Sequence, residues 1–254
     1  MYLLGANIAK TLFKVLENVG SMKPFVFFDL GQTLVSEWDF IDHFDNKFLE
    51  VLNGYGARID MKNYRAVRDS IIRDRKIGHG SVRDLALEVC KAVLPQGYGE
   101  SVVKMMDPAV KEGRRTLFRF AEGTETVLKE LSQKCELGII ANQSEDIVAL
   151  LQSSGLDGYF KVKTISGAVG LRKPDPAIFA LALKEAGREA RDCMMVGDRL
   201  DTDICPANKL GMKTIRVTDS LFALQETREE CERAAITVSR LTEVPAAVAG
   251  LLHL

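Results

Sequence analysis

Hydrophobic positions along this chain change their spacing twice. From Phe25 to Phe28 four apolar residues run without a break and meet Asp29, which a turn-prone tail follows as far as Thr33. An apolar run bounded in this way predicts a strand buried on both faces. Between about Ser36 and Phe118 the apolar residues recur at three and four, as in Ile41, Phe44, Phe48, Val51 and Leu52. That spacing predicts helices over 40–52, 62–75, 81–93 and 101–113. Gly54, Gly56, Gly78, Gly80, Pro95 and Gly97 fall in the gaps between them, where breakers belong. From about Ala121 short apolar runs alternate with helical periods. Strands are expected over 137–142, 162–166, 193–197, 213–217 and 235–238. Helices are expected over 124–133, 145–153, 177–186, 202–210 and 241–252. Strands alternating with helices of this length predict an α/β fold, a doubly wound parallel sheet with a helical stretch inserted after its first strand.

The first 21 residues stand apart. Leu4, Ile8, Leu12, Val15, Leu16 and Val19 recur at helical spacing, so an amphipathic helix on the surface, or a small oligomer contact, is expected. Lys10, Lys14 and Glu17 interrupt it and no basic start precedes it, which argues against a signal peptide. Met22 offers an alternative start.

Bulk composition narrows the classes. The 254 residues are 46% apolar and 27% charged, with a net charge of −1. Those values suit a soluble globular enzyme, carry no electrostatic footprint for nucleic acid and contain no run long enough for a membrane span. Cys90, Cys135, Cys193, Cys205 and Cys231 are odd in number and form no CxxC pair. Reduced thiols in the cytoplasm are expected, without a disulfide frame or a zinc site. A monomer or a homodimer is expected.

Chemistry gathers at the ends of the predicted strands, where open α/β sheets place their ligands. Asp29 follows the first strand, with Thr33 four residues on. A second strand ends in Ala141-Asn142-Gln143. A loop carries Arg172-Lys173-Pro174-Asp175-Pro176, and a further strand runs into Gly197-Asp198-Arg199-Leu200-Asp201-Thr202-Asp203. Taken singly, several of these residues have plain structural uses. Asp175 before Pro176 suits a helix N-cap, and Asp201 and Asp203 suit the start of a helix. Taken together, carboxylates converging on one sheet edge repel one another unless a hard cation such as Mg²⁺ sits among them.

The four segments in this order, on an α/β frame with a helical insert after the first strand, resemble the haloacid dehalogenase-like (HAD) hydrolase superfamily, in its branch with a type 1 helical cap (subfamily I). The resemblance runs from about Pro24 to the end of the chain. It implies a Rossmann-like core from 22–36 and 119–254, and a helical cap from 37–118. It implies Asp29 as the nucleophile, forming an aspartyl-phosphate that water then cleaves. It implies Mg²⁺ held by Asp29, the backbone carbonyl of Gly31 and Asp198, with Asp203 supporting the metal shell or orienting Lys173. Lys173 would neutralise charge on Asp29 and the phosphoryl oxygens. Thr33 would hold the loop, and Asn142 with backbone N–H groups would cradle the phosphate. The expected activity is therefore a Mg²⁺-dependent phosphatase acting on a small phosphorylated metabolite.

The chain departs from the family pattern twice. Gly31 stands where most family phosphatases carry a second aspartate, the general acid and base. Such catalysis is worth roughly 10²–10⁴-fold. Glu37, Asp39, Asp42 and His43 are the nearby substitutes. Ala141 replaces the usual serine or threonine, removing a hydroxyl that would bind the phosphoryl group. The departures keep two alternatives open: a slow or non-catalytic binding or regulatory relative, and a metal-independent haloacid dehalogenase. In the insert, Trp38 is expected to pack at a hinge. The run Arg65, Arg68, Arg73, Arg75 and Lys76 reads as a solvated helix face before it reads as an anion pocket.

Overall fold

In the computed structural model, which describes residues 23–252, the run Phe25–Phe28 forms β1 at the centre of a parallel sheet. The chain then makes β2 (Val35–Ser36) and four helices: α1 (Trp38–Gly54), α2 (Met61–Arg73), α3 (Val82–Val93) and α4 (Gly99–Leu117). It returns through β3 (Arg119–Phe120). The rest alternates: α5 (Thr124–Lys134), β4 (Glu136–Ala141), α6 (Asp146–Ser153), β5 (Phe160–Ile165), α7 (Pro176–Ala186), β6 (Cys193–Gly197), α8 (Cys205–Lys209), β7 (Lys213–Val217), β8 (Ile236–Val238) and α9 (Val244–Leu252). The strand order is β5-β4-β1-β6-β7-β8, and every neighbouring pair is parallel.

The unbroken apolar run of β1 follows from this position. Val26 and Phe28 pack into a core on one face of the sheet with Leu137, Ile139, Met194 and Val196. Phe25 and Phe27 pack into a second core on the other face with Ile140, Ile178, Phe179 and Met195. Successive side chains of a strand point to opposite faces, so a strand covered by helices on both sides needs every residue apolar. Truncating Phe27, which is fully buried, costs about 3–5 kcal/mol by the usual scale for large core aromatics.

The helical insert has its own apolar core. Phe40, Phe44 and Phe48 line one side of α1, with neighbouring ring centroids 6.2 and 5.2 Å apart, and Phe48 meets Tyr64 edge-on. Buried Asp45 is satisfied within that core: the Tyr64 hydroxyl donates to it at 2.7 Å, and Arg68 pairs with it. Three arginines on and just beyond α2 are likewise committed. Arg65 pairs with Asp42, Arg68 with Asp45 and Asp69, and Arg75 with Glu232 across to the core.

Two strands of the fold are absent from the sequence reading. β2 and β3 pair antiparallel, Val35 against Phe120 and Ser36 against Arg119, where the chain leaves for the insert and where it returns. Two-residue strands are too short to show a period. The helix expected over 202–210 is also divided. Leu200–Ile204 forms one wide π turn, in which the N–H groups of Asp203 and Ile204 both donate to the Arg199 carbonyl, and α8 follows it. The cysteine expectation needs correction. Cys205 and Cys231 form a disulfide, and only Cys90, Cys135 and Cys193 are free, all buried. An odd count and wide spacing carry no information about which residues a fold brings together. No helix among the described residues is long and apolar enough to cross a membrane. The amphipathic helix expected over the first 21 residues lies outside the described residues.

Candidate active site

Three parallel strands deliver the site. Asp29 directly follows β1, and its N–H donates to the Val196 carbonyl at 2.8 Å, extending the β1–β6 pairing by one residue. Asn142 directly follows β4, and Asp198 directly follows β6. Because β1 lies between β4 and β6, the three ends form one crevice. The tail behind Asp29 folds tightly, with the N–H groups of Thr33, Leu34 and Val35 all donating to the Leu30 carbonyl at 3.3, 3.0 and 2.7 Å. The Gln32 side chain pins this loop by accepting from the Leu221 N–H at 2.7 Å.

Lys173 reaches the crevice from the loop between β5 and α7. Its ammonium is buried and donates to Asp29 Oδ1 and to Asp203 Oδ1, both at 2.6 Å. Burial by itself would lower its pKa, but Asp203 and Asp29 together hold it above the ordinary value. The second oxygen of Asp203 accepts from the Arg199 N–H at 3.0 Å. Both of its oxygens are therefore engaged in fixing Lys173 and the turn. Gly197 makes room for this, since a Cβ built there would lie 2.6 Å from Asp203 Oδ2. One oxygen from each of Asp29, Asp198 and Asp203 lies within 4.8 Å of the others, and all three residues are buried.

Three buried carboxylates converge here, and the proton affinities of Asp29 and Asp198 register it. Burial raises the Asp29 carboxyl to about 6, with Lys173 opposing the rise and Asp203 adding to it. Burial, then the charges of Asp203 and Asp29, push Asp198 well above the usual carboxylate range. An all-oxygen donor set carrying excess negative charge suits a hard divalent cation such as Mg²⁺, so the residues present fit that ion.

The remaining expected residues take specific places. The Thr33 hydroxyl is buried without a hydrogen-bond partner among the described residues. Asn142 faces the Lys173 backbone: its Nδ2 donates to the Lys173 carbonyl at 2.9 Å and its Oδ1 accepts the Lys173 N–H at 2.8 Å. The arrangement makes Asn142 a positioning residue for the lysine, a use that a strand-end amide does not reveal in sequence. Ala141 is fully buried at the end of β4. Asp175 accepts from the Ala177 N–H at 2.8 Å as the N-cap of α7. Asp201 pairs with Arg199 at 2.9 Å. Trp38 donates from its indole to Asp219 at 3.0 Å, at the junction of insert and core.

Of the four candidate proton donors, Asp39 pairs with Arg119 and Asp42 with Arg65, all at exposed positions. His43 packs near Gly113 on α4, within the insert. Glu37 alone turns into the crevice. Burial raises its carboxyl to about 7, the Asp29 charge adds to the rise and Arg114 opposes it.

Two further contributors are Ser220, which has no sequence signal, and Arg199, which lies in the Gly197–Asp203 segment but to which the sequence assigns no role. Ser220 donates its hydroxyl to Asp198 Oδ2, and it is a lone serine beyond β7. Arg199 ties the site to the insert, donating to the carbonyls of Gly80 and Gly78 at 3.0 and 3.1 Å and lying 4.2 Å from the centre of the Phe222 ring. A cavity of about 380 Å³ opens beside Asn142 and Gln143, with Arg114 and Arg172 on its walls. A larger cleft between α4 and α6 shares Arg114 and Gln143 with it.

A buried lysine bridging two aspartates at the carboxyl edge of a doubly wound sheet, under a helical insert, defines a hydrolase class. The family model for haloacid dehalogenase-like hydrolases matches residues 26–217, and the chain belongs to that family. It is 28% identical over 225 residues to a glyceraldehyde 3-phosphate phosphatase of Methanocaldococcus jannaschii, covering 86% of this chain and 94% of the relative. It is 26% identical over 201 residues to the pyrimidine 5'-nucleotidase YjjG of Escherichia coli, covering 74% and 83%. Among solved structures it shares the fold of the Bacillus subtilis HAD-hydrolase YfnB, solved bound to magnesium, with a TM-score of 0.63, 18% identity and coverage of 90% and 99%.

Proposed function

We propose that this protein is a Mg²⁺-dependent phosphatase that hydrolyses a small phosphorylated metabolite through an aspartyl-phosphate on Asp29. The observation that carries the reading is the Lys173 ammonium held 2.6 Å from both Asp29 and Asp203, beside a third buried carboxylate, Asp198. Asp29, the Gly31 carbonyl and Asp198 would hold the ion, and Asp203 would act on it indirectly by fixing Lys173. When bound, Mg²⁺ offsets the repulsion between a phosphate ester and an attacking carboxylate.

The protein's own groups do the rest. Asp29 lies at the end of β1 with its carboxylate facing the crevice and attacks phosphorus. Lys173 keeps Asp29 ionised and neutralises charge on the phosphoryl oxygens. The Thr33 hydroxyl and the backbone of the loop behind Asp29 receive the phosphoryl group, since Ala141 brings no hydroxyl to it. Residues 37–118 work as a cap, and the cavity between cap and core holds the organic part of the ester. The naming of several relatives as glyceraldehyde 3-phosphate phosphatases makes that compound the first to test.

The test is phosphate release from a panel of small phosphomonoesters, with Mg²⁺ and with chelator, beside Asp29→Asn. Turnover that requires Mg²⁺ and vanishes in the variant is expected. Metal-independent halide release from a 2-haloacid, with no phosphate release, would replace this reading with a dehalogenase.

A further inference from the structure

The family pattern places a carboxylate at position 31, and this chain has none there. The structure puts one into the same space from elsewhere. A Cβ built on Gly31 would lie 2.9 Å from Glu37 Oε1 and 3.2 Å from Gln143 Nε2. The Glu37 carboxylate therefore fills the volume that a side chain on residue 31 would occupy. Gly31 is not in the left-handed conformation, so its backbone imposes no need for glycine. What the absence of a Cβ provides is room for Glu37. The Gln143 amide borders the same space and faces Glu37 Oε1 at 3.5 Å. Glu37 is also well anchored: it stands directly after β2 and at the start of α1, where its carbonyl accepts the Ile41 N–H at 2.8 Å.

We propose that Glu37 is the general acid and base of this enzyme, and that Gly31 and Glu37 together replace the single acidic residue of the family pattern. The inference rests on the phosphatase reading and adds a residue to it. In the first half-reaction an Asp29 oxygen forms a bond to phosphorus while the bond from phosphorus to the ester oxygen breaks. The Glu37 carboxyl gives its proton to that oxygen, which leaves as an alcohol. In the second, the Glu37 carboxylate takes a proton from a water whose oxygen attacks phosphorus. The bond from phosphorus to Asp29 breaks, inorganic phosphate leaves, and Asp29 and Glu37 return to their starting states.

The test uses Glu37→Gln in the full chain and compares 4-nitrophenyl phosphate, whose leaving group needs no proton, with an alkyl phosphate that wild type turns over. The variant is expected to release one equivalent of nitrophenolate in a fast first turnover and then stall. Acid quenching at that point should trap phosphate on Asp29, seen as a mass increase. With the alkyl ester the first turnover itself should fall by about 10²–10⁴-fold. The double variant Gly31→Asp with Glu37→Ala returns a carboxylate to position 31 and removes the atom it would clash with. It should recover at least about tenfold of the loss with the alkyl ester, whereas Glu37→Ala alone should not. A fall of equal size for both esters, with no burst and no trapped phosphate, would overturn the assignment of Glu37 and leave the phosphatase reading standing. Wild type that releases phosphate from no ester overturns both.

Discussion

Asn142 and Lys173 hold each other twice, the Asn142 amide donating to the Lys173 carbonyl at 2.9 Å and accepting the Lys173 N–H at 2.8 Å. The pair joins the end of β4 to the loop before α7, and so sets where the lysine side chain enters the crevice. Asn142→Ala should therefore act through Lys173. Small displacements of a catalytic group cost about 10²-fold, and a loss of that order in kcat/KM is expected. Global stability should fall by less than about 2 kcal/mol, the scale of one or two hydrogen bonds. Steady-state kinetics beside a urea melt separates the two effects, and a large stability loss with unchanged kcat/KM would refute the positioning role.

The carboxylate cluster predicts a second outcome. Asp29, Asp198 and Asp203 converge within 4.8 Å while the Lys173 ammonium bonds Asp29 and Asp203, so Mg²⁺ that binds only the folded state should raise the melting temperature. At a hundredfold excess over Kd the gain is about 2.7 kcal/mol. In Asp198→Asn the gain should shrink or vanish while the protein stays folded. Calorimetric melts with Mg²⁺ and with chelator check this without any substrate, and equal shifts in wild type and variant would exclude Asp198 as a ligand.

Gly197 predicts a third. A Cβ there would meet the Asp203 side chain at 2.6 Å, and its nearest neighbours are the Cβ, Cγ and Oδ2 of that residue. Gly197→Ala must push Asp203 away from Lys173. Overpacking of this kind costs about 1–3 kcal/mol, and activity should fall with it. Full activity in a stably folded Gly197→Ala protein would show that the contact between Lys173 and Asp203 is dispensable.

The contact between insert and core predicts a dependence on pH. Glu232 lies on the core and pairs with Arg75 beyond α2, and its carboxylate also accepts from the N–H groups of Arg228 and Glu229. Burial by itself would raise this carboxyl, but the Arg75 pairing and the backbone donors hold it below its ordinary value. A carboxyl with a depressed folded pKa gives stability that is fully present above the unfolded pKa. That stability is lost as pH falls through the folded one. Glu232→Gln should accordingly cost about 1.5–3 kcal/mol near neutrality, the range for hydrogen bonds to charged groups. The difference from wild type should begin to narrow below about pH 4.3, the ordinary glutamate value, and be smaller still at about pH 3. Urea midpoints at neutrality and at the lower of these pH values test it, and a difference that does not change with pH would refute it.

Much of this protein is local information. The unbroken run Phe25–Phe28, the three-and-four spacing of Phe40, Phe44 and Phe48, and the strand–helix alternation after Ala121 each follow from which faces a segment must bury. These patterns carry the doubly wound sheet and its helical insert. Asp29, Lys173, Asp198 and Asp203 could be named from sequence because four segments in order resemble the haloacid dehalogenase pattern, and the sheet brings them together because each lies at a strand end or in a loop beside one. What the tertiary structure alone decided are relations between residues with no shared period. The Asn142 amide turns to the Lys173 backbone, Ser220 reaches Asp198, and Cys205 meets Cys231. The pairing of β2 with β3 starts α1 where it does, and the space beside Gly31 receives Glu37. A sequence states which side chains exist. Which of them share a few cubic ångströms is set by the packing of cap against core, and that depends on all of the buried surfaces at once.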